Sequence, residues 1–400
     1  MNASMNLWLV AGEESGDQLG AGLMRALKKR LGPEGVRFAG IGSGRMTEEG
    51  LEPLFPMSDI AVMGIGPVVA RLPLLLRRIH ETAAAVVAAR PDALIIIDSP
   101  DFTHRVARRV RRALPDLPIV NYVSPSVWAW RPGRAKRMRP YVDHVLALKP
   151  FEVDAHLRLG GPDCTYVGHP LTERLDELRP GPGERPPIGE GALRLVVLPG
   201  SRRSEIARLM DPFGGTLRRL AEGLGRPIEA TLPAVPHLAD EIARAVEGWT
   251  VRPRIVHGEA AKFAAFRSAH AALAASGTVT LELALAGVPM VVAYKVSKLE
   301  EQLKYVITAP SIVLANLVIG ENVIPELMQG ACEPGRLAAE LEPLCADTPE
   351  RARQIAAFER LDALMHTGDE APSERAARVV LATIAGKGAQ ASPASGRVAM

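Results

Sequence analysis

Cysteine is scarce in this chain: 3 in 400 residues, at positions 164, 332 and 345, with no CxxC pair. Such spacing encodes neither a disulfide framework nor a zinc knuckle, and it fits a reducing compartment. Aromatic residues are also few, 4% against 47% apolar overall. A core built mainly from Ala, Leu and Val suits helices packed on parallel sheets better than a β-sandwich. The formal net charge is only +3, too small for a global field that would gather nucleic acid. Arginine is concentrated between Arg105 and Arg139, which gives a local basic face better suited to anionic lipid or phosphate than to DNA. No run reaches ~18 uninterrupted apolar residues, so no spanning helix is expected. The first residues lack the basic and then long apolar pattern of a signal peptide.

What is present is alternation. Four hundred residues exceed what one core usually organises, so two domains are expected. Strands are expected over 7–11, 36–40, 93–97, 119–123, 145–148 and 166–168, with a helix from about 18 to 30. After residues 178–191, a Pro- and Gly-rich stretch read as a linker, strands restart at 193–198, 253–257, 271–275 and 290–294. Residues 1–177 therefore form one doubly wound domain and 192–355 a second. Helices over 356–385 are able to cross back, and 386–400 form a small, polar tail. The glycines at 40, 42 and 44 do not have the spacing of a dinucleotide fingerprint, and GxxxxGK[ST] is absent.

Chemistry concentrates at strand ends, where open α/β sheets bind ligands. Ser276-Gly277-Thr278 follows one strand and precedes a helix, offering main-chain N–H groups to a phosphate, and Glu282 follows one turn later, placed for a ribose diol. Pro199-Gly200-Ser201-Arg202 repeats the arrangement: Gly200 allows close approach, Ser201 and the helix start donate N–H groups, and Arg202 neutralises a diphosphate. Either turn also reads as an ordinary capped helix. Asp98 ends a buried strand where a general base would stand, with Asp101 the better cap for a helix beginning near Thr103. Asp98, Asp101 and His104 have a D-x-x-D-x-x-H spacing, but a loop containing Pro100 fixes no metal geometry, and no metal is expected. Ser15-Gly16-Asp17 reads as a helix cap or a substrate contact. Trp128 and Trp130 read as core or as a stacking or lipid surface, and His169 as a structural hydrogen bonder. Over 60–79, Val68, Leu72, Leu75, Leu76 and Ile79 share a helical face flanked by Arg71, Arg77 and Arg78, the profile either of an interfacial helix or of a buried one.

Taken together, AGEESGD at Ala11, GIG at Gly40, VMGI at Val62, IDSPDF at Ile97, YVSPSVWAWR at Tyr122, PFE at Pro150, VGHPL at Val167, LPGSRRSEI at Leu198, ASGTVTLE at Ala275 and PMVVAYK at Pro289 resemble the lipid-A-disaccharide synthase family, glycosyltransferase family 19. The match runs in order from about residue 7 to about 330. The resemblance implies an α/β GT-B fold of two Rossmann-like doubly wound domains facing across a cleft. It implies an inverting, metal-independent transferase that needs no cofactor and joins UDP-2,3-diacylglucosamine to 2,3-diacylglucosamine 1-phosphate through a β-1,6 link, releasing UDP. Asp98 matches the base, and Gly200, Ser201, Arg202, Ser276, Gly277, Thr278, Glu282 and Asn316 match the UDP side. Ser15, Gly16, Asp17, Met63, Ser124 and Trp128 fall on the acceptor side. A cytoplasmic enzyme at the inner-membrane surface is implied, with a homodimer left open and no nucleic-acid partner. The sequence departs from the family pattern at Gly66-Pro67, Thr103, Asn121 and Lys149. The competing readings are another GT-B enzyme acting on a UDP-amino sugar, such as an epimerase, and a noncatalytic lipid-binding relative.

Overall fold

The computed structural model describes residues 4–61, 70–296 and 309–391. They gather into two units: one runs to Pro170 and resumes at Thr367, and the other spans Leu171–His366.

In the first unit, β1 (Met5–Ala11), β2 (Val36–Ile41), β3 (Glu52–Pro53), β4 (Ala93–Ile97), β5 (Ile119–Tyr122), β6 (His144–Ala147) and β7 (Asp163–Tyr166) form a sheet in the order β3-β2-β1-β4-β5-β6-β7. Each neighbouring pair is parallel. Ala93 to Ile97 are all fully buried, as expected of a strand covered on both faces. The last strand lies earlier than the expected 166–168. Asp163 to Tyr166 pair with β6, and Gly168 has already turned away with φ +93; a Cβ there would lie 2.7 Å from Pro372. The helix Glu14–Leu31 begins four residues before the expected start, which makes Ser15, Gly16 and Asp17 its first turn. The helix Pro100–Ala113 likewise starts early, with Pro100 at its first position, where a missing N–H costs nothing. The helix Pro372–Ala391 belongs to this unit. Ala376, Ala377 and Val380 are fully buried in its core, and Glu374 pairs with Lys29 at 2.9 Å and Arg30 at 3.0 Å on the first helix.

In the second unit, β8 (Leu193–Leu198), β9 (Ile228–Ala234), β10 (Arg254–His257), β11 (Ala271–Ala275), β12 (Met290–Tyr294) and β13 (Glu326–Met328) form a second parallel sheet, ordered β10-β9-β8-β11-β12-β13. Pro233 sits inside β9, but pairing with β8 stops at Thr231, so its missing N–H removes no rung on that side. Residues 178–191 are held against this unit by Arg185. Its half-buried guanidinium donates to the carbonyls of Phe266, Ala286 and Gly287 at 3.0, 2.9 and 2.8 Å, closing the C-terminal ends of two helices.

In each sheet the strand order reverses once, between β1 and β4 and between β8 and β11. The carboxyl ends at those reversals are where a doubly wound sheet opens a crevice.

Candidate active site

At the second reversal, a pocket of about 500 Å³ opens between the loops after β8 and β11. Gly200, Ser201, Arg202, Ser276, Gly277, Thr278 and Glu282 all line it, joined by Glu205, Glu259 and Lys262. Its loop after β8 is wired differently from the expectation. Glu205 Oε2 accepts the main-chain N–H groups of Ser201 at 2.9 Å and Arg202 at 3.2 Å, and Arg202 Nη1 donates to Glu205 Oε1 at 2.9 Å. Those two N–H groups are therefore occupied by the chain's own carboxylate. Gly200 is required here, since at φ +112 a Cβ would stand 2.3 Å from Glu205 Oε2.

The loop after β11 is open. Ser276 Oγ donates to Ile312 O at 2.7 Å. Among the described residues no hydrogen bond engages the main-chain N–H groups of Gly277, Thr278 and Val279. A Cβ on Gly277 would meet nothing within 4 Å. Glu282 points into the pocket and pairs with Lys262, Nζ to Oε2 2.7 Å. No sequence motif marked Lys262, and Glu205 was signalled by its place in the LPGSRRSEI run, three residues after Arg202 at a helix start.

Asn316 does not line the pocket. It is buried; its Nδ2 donates to Ile324 O at 3.0 Å and Glu326 Oε1 at 2.8 Å, and its Oδ1 accepts from Val323 and Ile324. Glu326 Oε2 in turn accepts Ile312 N at 2.9 Å. Asn316 thus braces the strand of chain that carries the acceptor for Ser276, two links behind the pocket wall.

At the first reversal, Asp98 follows β4 with φ +52 and Ser99 follows with φ +42. The strained turn is held from several sides. Asp98 N donates to Tyr122 O at 3.0 Å, Ser99 N to Asp98 Oδ1 at 2.8 Å, and Thr103 Oγ1 to Asp98 O and Ser99 O at 2.7 and 3.1 Å. Ser99 Oγ reaches Glu13 Oε1 at 3.3 Å, which ties the ends of β1 and β4 together. A Cβ on Gly12 would collide with Ser99 at 2.4 Å. Asp101 does not cap the helix; it is exposed and pairs with Arg134 at 3.0 Å. His104 turns into the core toward Tyr141 OH at 3.0 Å, so Asp98, Asp101 and His104 diverge to separate partners.

Of the residues expected on the acceptor side, Ser15 is exposed at the start of the first helix and Gly16 is buried against Ala11 and Ile97. Asp17 is fully buried, and its carboxylate accepts N–H groups from Ser43 at 2.5 Å and Arg45 at 3.0 Å; it fixes the neighbouring loop and has no surface to offer a substrate. Met63 and the Gly66-Pro67 departure lie outside the described residues. Ser124 is buried with Oγ 2.8 Å from His156 Nε2. Trp128 Nε1 donates to Glu152 Oε1 at 3.2 Å, with its ring edge-on to Phe151. Trp130 is the more exposed of the two, stacked under Arg131 at 4.1 Å. His169 is buried and held neutral, its pKa pushed down to about 3 by burial and by the charge of Lys149.

Three of the departures have local physical roles. Thr103 clamps the Asp98-Ser99 turn, as above. Asn121 Nδ2 donates to the carbonyl of Val123 at 3.0 Å, and Val123 is a β-branched residue at φ +78. Lys149 Nζ lies 2.9 Å from Glu152, a carboxylate with no solvent exposure that would be costly unpaired.

A family model described as lipid-A-disaccharide synthetase matches residues 7–380. The chain belongs to that family. The lipid-A-disaccharide synthase of Rhodopseudomonas palustris strain HaA2 is 59% identical over 386 residues, 95% of this chain and 96% of that one. That of Nitrobacter hamburgensis is 57% identical, covering 96% of each. Among solved structures, the S. aureus MnaA–UDP complex superposes with a TM-score of 0.61 at 12% identity, over 93% of this chain and 94% of that one. The glycotransferase of kitacinnamycin gives 0.59 at 18%, over 96% and 100%. These likenesses show the fold, two Rossmann-like domains of the GT-B class. Like its family, the chain is a glycosyltransferase.

Proposed function

We propose that this chain transfers 2,3-diacylglucosamine from UDP to the 6-hydroxyl of 2,3-diacylglucosamine 1-phosphate, forming a β-1,6 disaccharide with inversion. The observation that carries the donor half is the pocket at the β8/β11 reversal, where two separate turns and Glu282 meet. The S. aureus structure similar in fold is a UDP complex, which supports a uridine nucleotide as the ligand. Asp98 supports the acceptor half: it stands at the carboxyl end of β4, with its main chain fixed by Tyr122 and Thr103. In the reaction Asp98 takes the hydroxyl proton as the oxygen attacks the anomeric carbon. The carbon–phosphate-oxygen bond breaks and UDP departs with the electron pair, its charge met by Arg202 and the open N–H groups after β11.

The chain works at a membrane surface. No helix among the described residues is long and apolar enough to cross a membrane. Leu72 and Leu76 are 43% and 38% exposed on the helix Leu72–Ala89, and Trp130 is 38% exposed beside Arg131, side chains suited to a lipid interface.

Mass spectrometry of the products from UDP-2,3-diacylglucosamine, with and without the monosaccharide 1-phosphate, tests this reading. A disaccharide 1-phosphate formed only when both sugars are supplied is expected. A C2-epimerised UDP-sugar made from the donor alone would establish the epimerase reading instead, and lipid binding without UDP release would leave a noncatalytic relative.

A further inference from the structure

Among the described residues, both cations lining the donor pocket, Arg202 and Lys262, are already paired. Arg202 holds Glu205, Lys262 holds Glu282, and the third carboxylate, Glu259, is 2.9 Å from Arg174. A diphosphate entering this pocket meets two paired cations, three acids and the open main-chain N–H groups after β11, which carry no full charge, so neutralising it with a cation requires that a pair open.

The two pairs differ in what opening leaves behind. Glu205 keeps the N–H groups of Ser201 and Arg202 whether or not the guanidinium stays, and the Arg202 side chain is 59% exposed, so that pair parts at small cost. The side chains of Lys262 and Glu282 are only 24% and 12% exposed. Parting them strands a largely buried carboxylate unless another donor takes the place of the ammonium. A vicinal ribose diol supplies two O–H donors for that carboxylate. The other two carboxylates of the pocket are already held, Glu205 by Arg202 and two main-chain N–H groups and Glu259 by Arg174, so the displaced ammonium turns to the phosphate oxygens of the same ligand. Lys262 can make this move on a flexible stem: Nζ lies over the faces of Phe263 and Phe266, 4.9 and 5.9 Å from their centroids, and no other carboxylate is bonded to it among the described residues.

We infer that Lys262 is a donor-binding residue that exchanges Glu282 for the diphosphate of the nucleotide, so that ribose recognition and phosphate recognition are coupled through one ion pair. The inference rests on the nucleotide reading of the pocket given above. It requires reciprocity: ribose at Glu282 tightens phosphate binding, and phosphate at Lys262 tightens ribose binding, by the same factor.

Calorimetric titration of the full chain with UDP, with uridine and with inorganic pyrophosphate tests it. Lys262→Met should weaken UDP by about tenfold to a hundredfold, the scale of one charge-assisted hydrogen bond, while uridine binds as well as to the wild type or better. Saturating uridine should tighten pyrophosphate severalfold in the wild type and not in Lys262→Met, and Lys262→Arg should retain the coupling. Unchanged melting temperatures establish that the variants are folded. Equal losses for UDP and uridine in Lys262→Met would show that the lysine only holds Glu282 in place, and an unchanged UDP affinity would show that it never reaches the phosphates; either result overturns the inference alone. A wild-type chain that binds neither UDP nor uridine would bring down the nucleotide reading and the inference together.

Discussion

The carboxylate of Glu205 lies directly over Gly200, so close that a single added methyl group would stand 2.3 Å from its Oε2. The loop after β8 is therefore built around a carboxylate that caps two N–H groups and leaves no room for a side chain. Gly200→Ala forces Glu205 off Ser201 and Arg202 and puts an alanine at φ +112; we expect a loss of about 1–3 kcal/mol in urea unfolding and of most UDP affinity. Glu205→Gln keeps the cap and removes a charge, and in a binding titration it should hold UDP more tightly than the wild type.

Asp98→Ala should lower kcat by about a hundredfold to ten-thousandfold, the usual worth of a general base, while UDP binding stays within about twofold. Turnover near the wild-type rate would remove Asp98 from the base position.

Val123 stores strain one residue beyond the carbonyl that holds Asp98. Asn121→Ala removes the hydrogen bond to its carbonyl and should cut kcat with little change in the Michaelis constant for the UDP-sugar. Adding Val123→Gly, which takes φ +78 without penalty, should recover part of that loss. Steady-state kinetics of the single and double variants decide the point.

The buried histidines give stability a pH dependence. Burial, helped by the charges of Arg134 and Arg108, pushes His104 from its ordinary 6.5 down to about 3. The folded chain keeps this ring neutral where the unfolded chain protonates it, so its contribution is complete above about pH 6.5 and is lost as pH falls toward 3, at up to about 1.4 kcal/mol per pH unit. Urea midpoints measured from pH 7 to pH 4.5 should fall less steeply in His104→Gln than in the wild type.

The apolar face expected over 60–79 divides in the structure. Ile79 is buried and Leu75 packs against the core, whereas Leu72 and Leu76 stay exposed. Arg78 is not a free flanking cation, for it pairs with Asp59 at 2.5 Å and Glu81 at 2.7 Å. Leu72→Asp with Leu76→Asp should thus lower co-sedimentation with anionic liposomes and leave the melting temperature within about 2 °C, since surface changes seldom cost more than ~0.5 kcal/mol. Leu75→Asp should destabilise the fold itself. Val68 of that face lies outside the described residues.

The strands at 93–97, 271–275 and 290–294 could be read to the residue, because a parallel strand buried on both faces leaves an unbroken apolar run between turn residues, and 193–198 could be too, its run broken only by the half-buried Arg194. Strand β9 could not, since Glu229, Thr231 and Pro233 interrupt its apolar pattern and only its neighbours on both sides make it a strand. That the turns after β8 and β11 meet around one pocket was legible for the same reason as the strands: their residues follow them directly. What stayed hidden was how polar groups pair across the fold. Asp17 and Asn316 are the right types for a site, yet their bonds are satisfied by backbone distant in sequence, as with Ser43 and Ile324. Lys262 ends the first turn of the helix Glu259–Ser268, and only its 2.7 Å approach to Glu282, twenty positions away, gives it a role.

The return of the helix Pro372–Ala391 to the first unit sets an order on synthesis. The first sheet's strands are made before residue 170, but the side chains that pack beside its first helix, Ala376, Ala377 and Val380, leave the ribosome only after the second unit. The second unit is translated whole in the interval. The first must wait with an apolar face uncovered, so a chain stopped before Pro372 would carry a complete second unit joined to a first unit that cannot close.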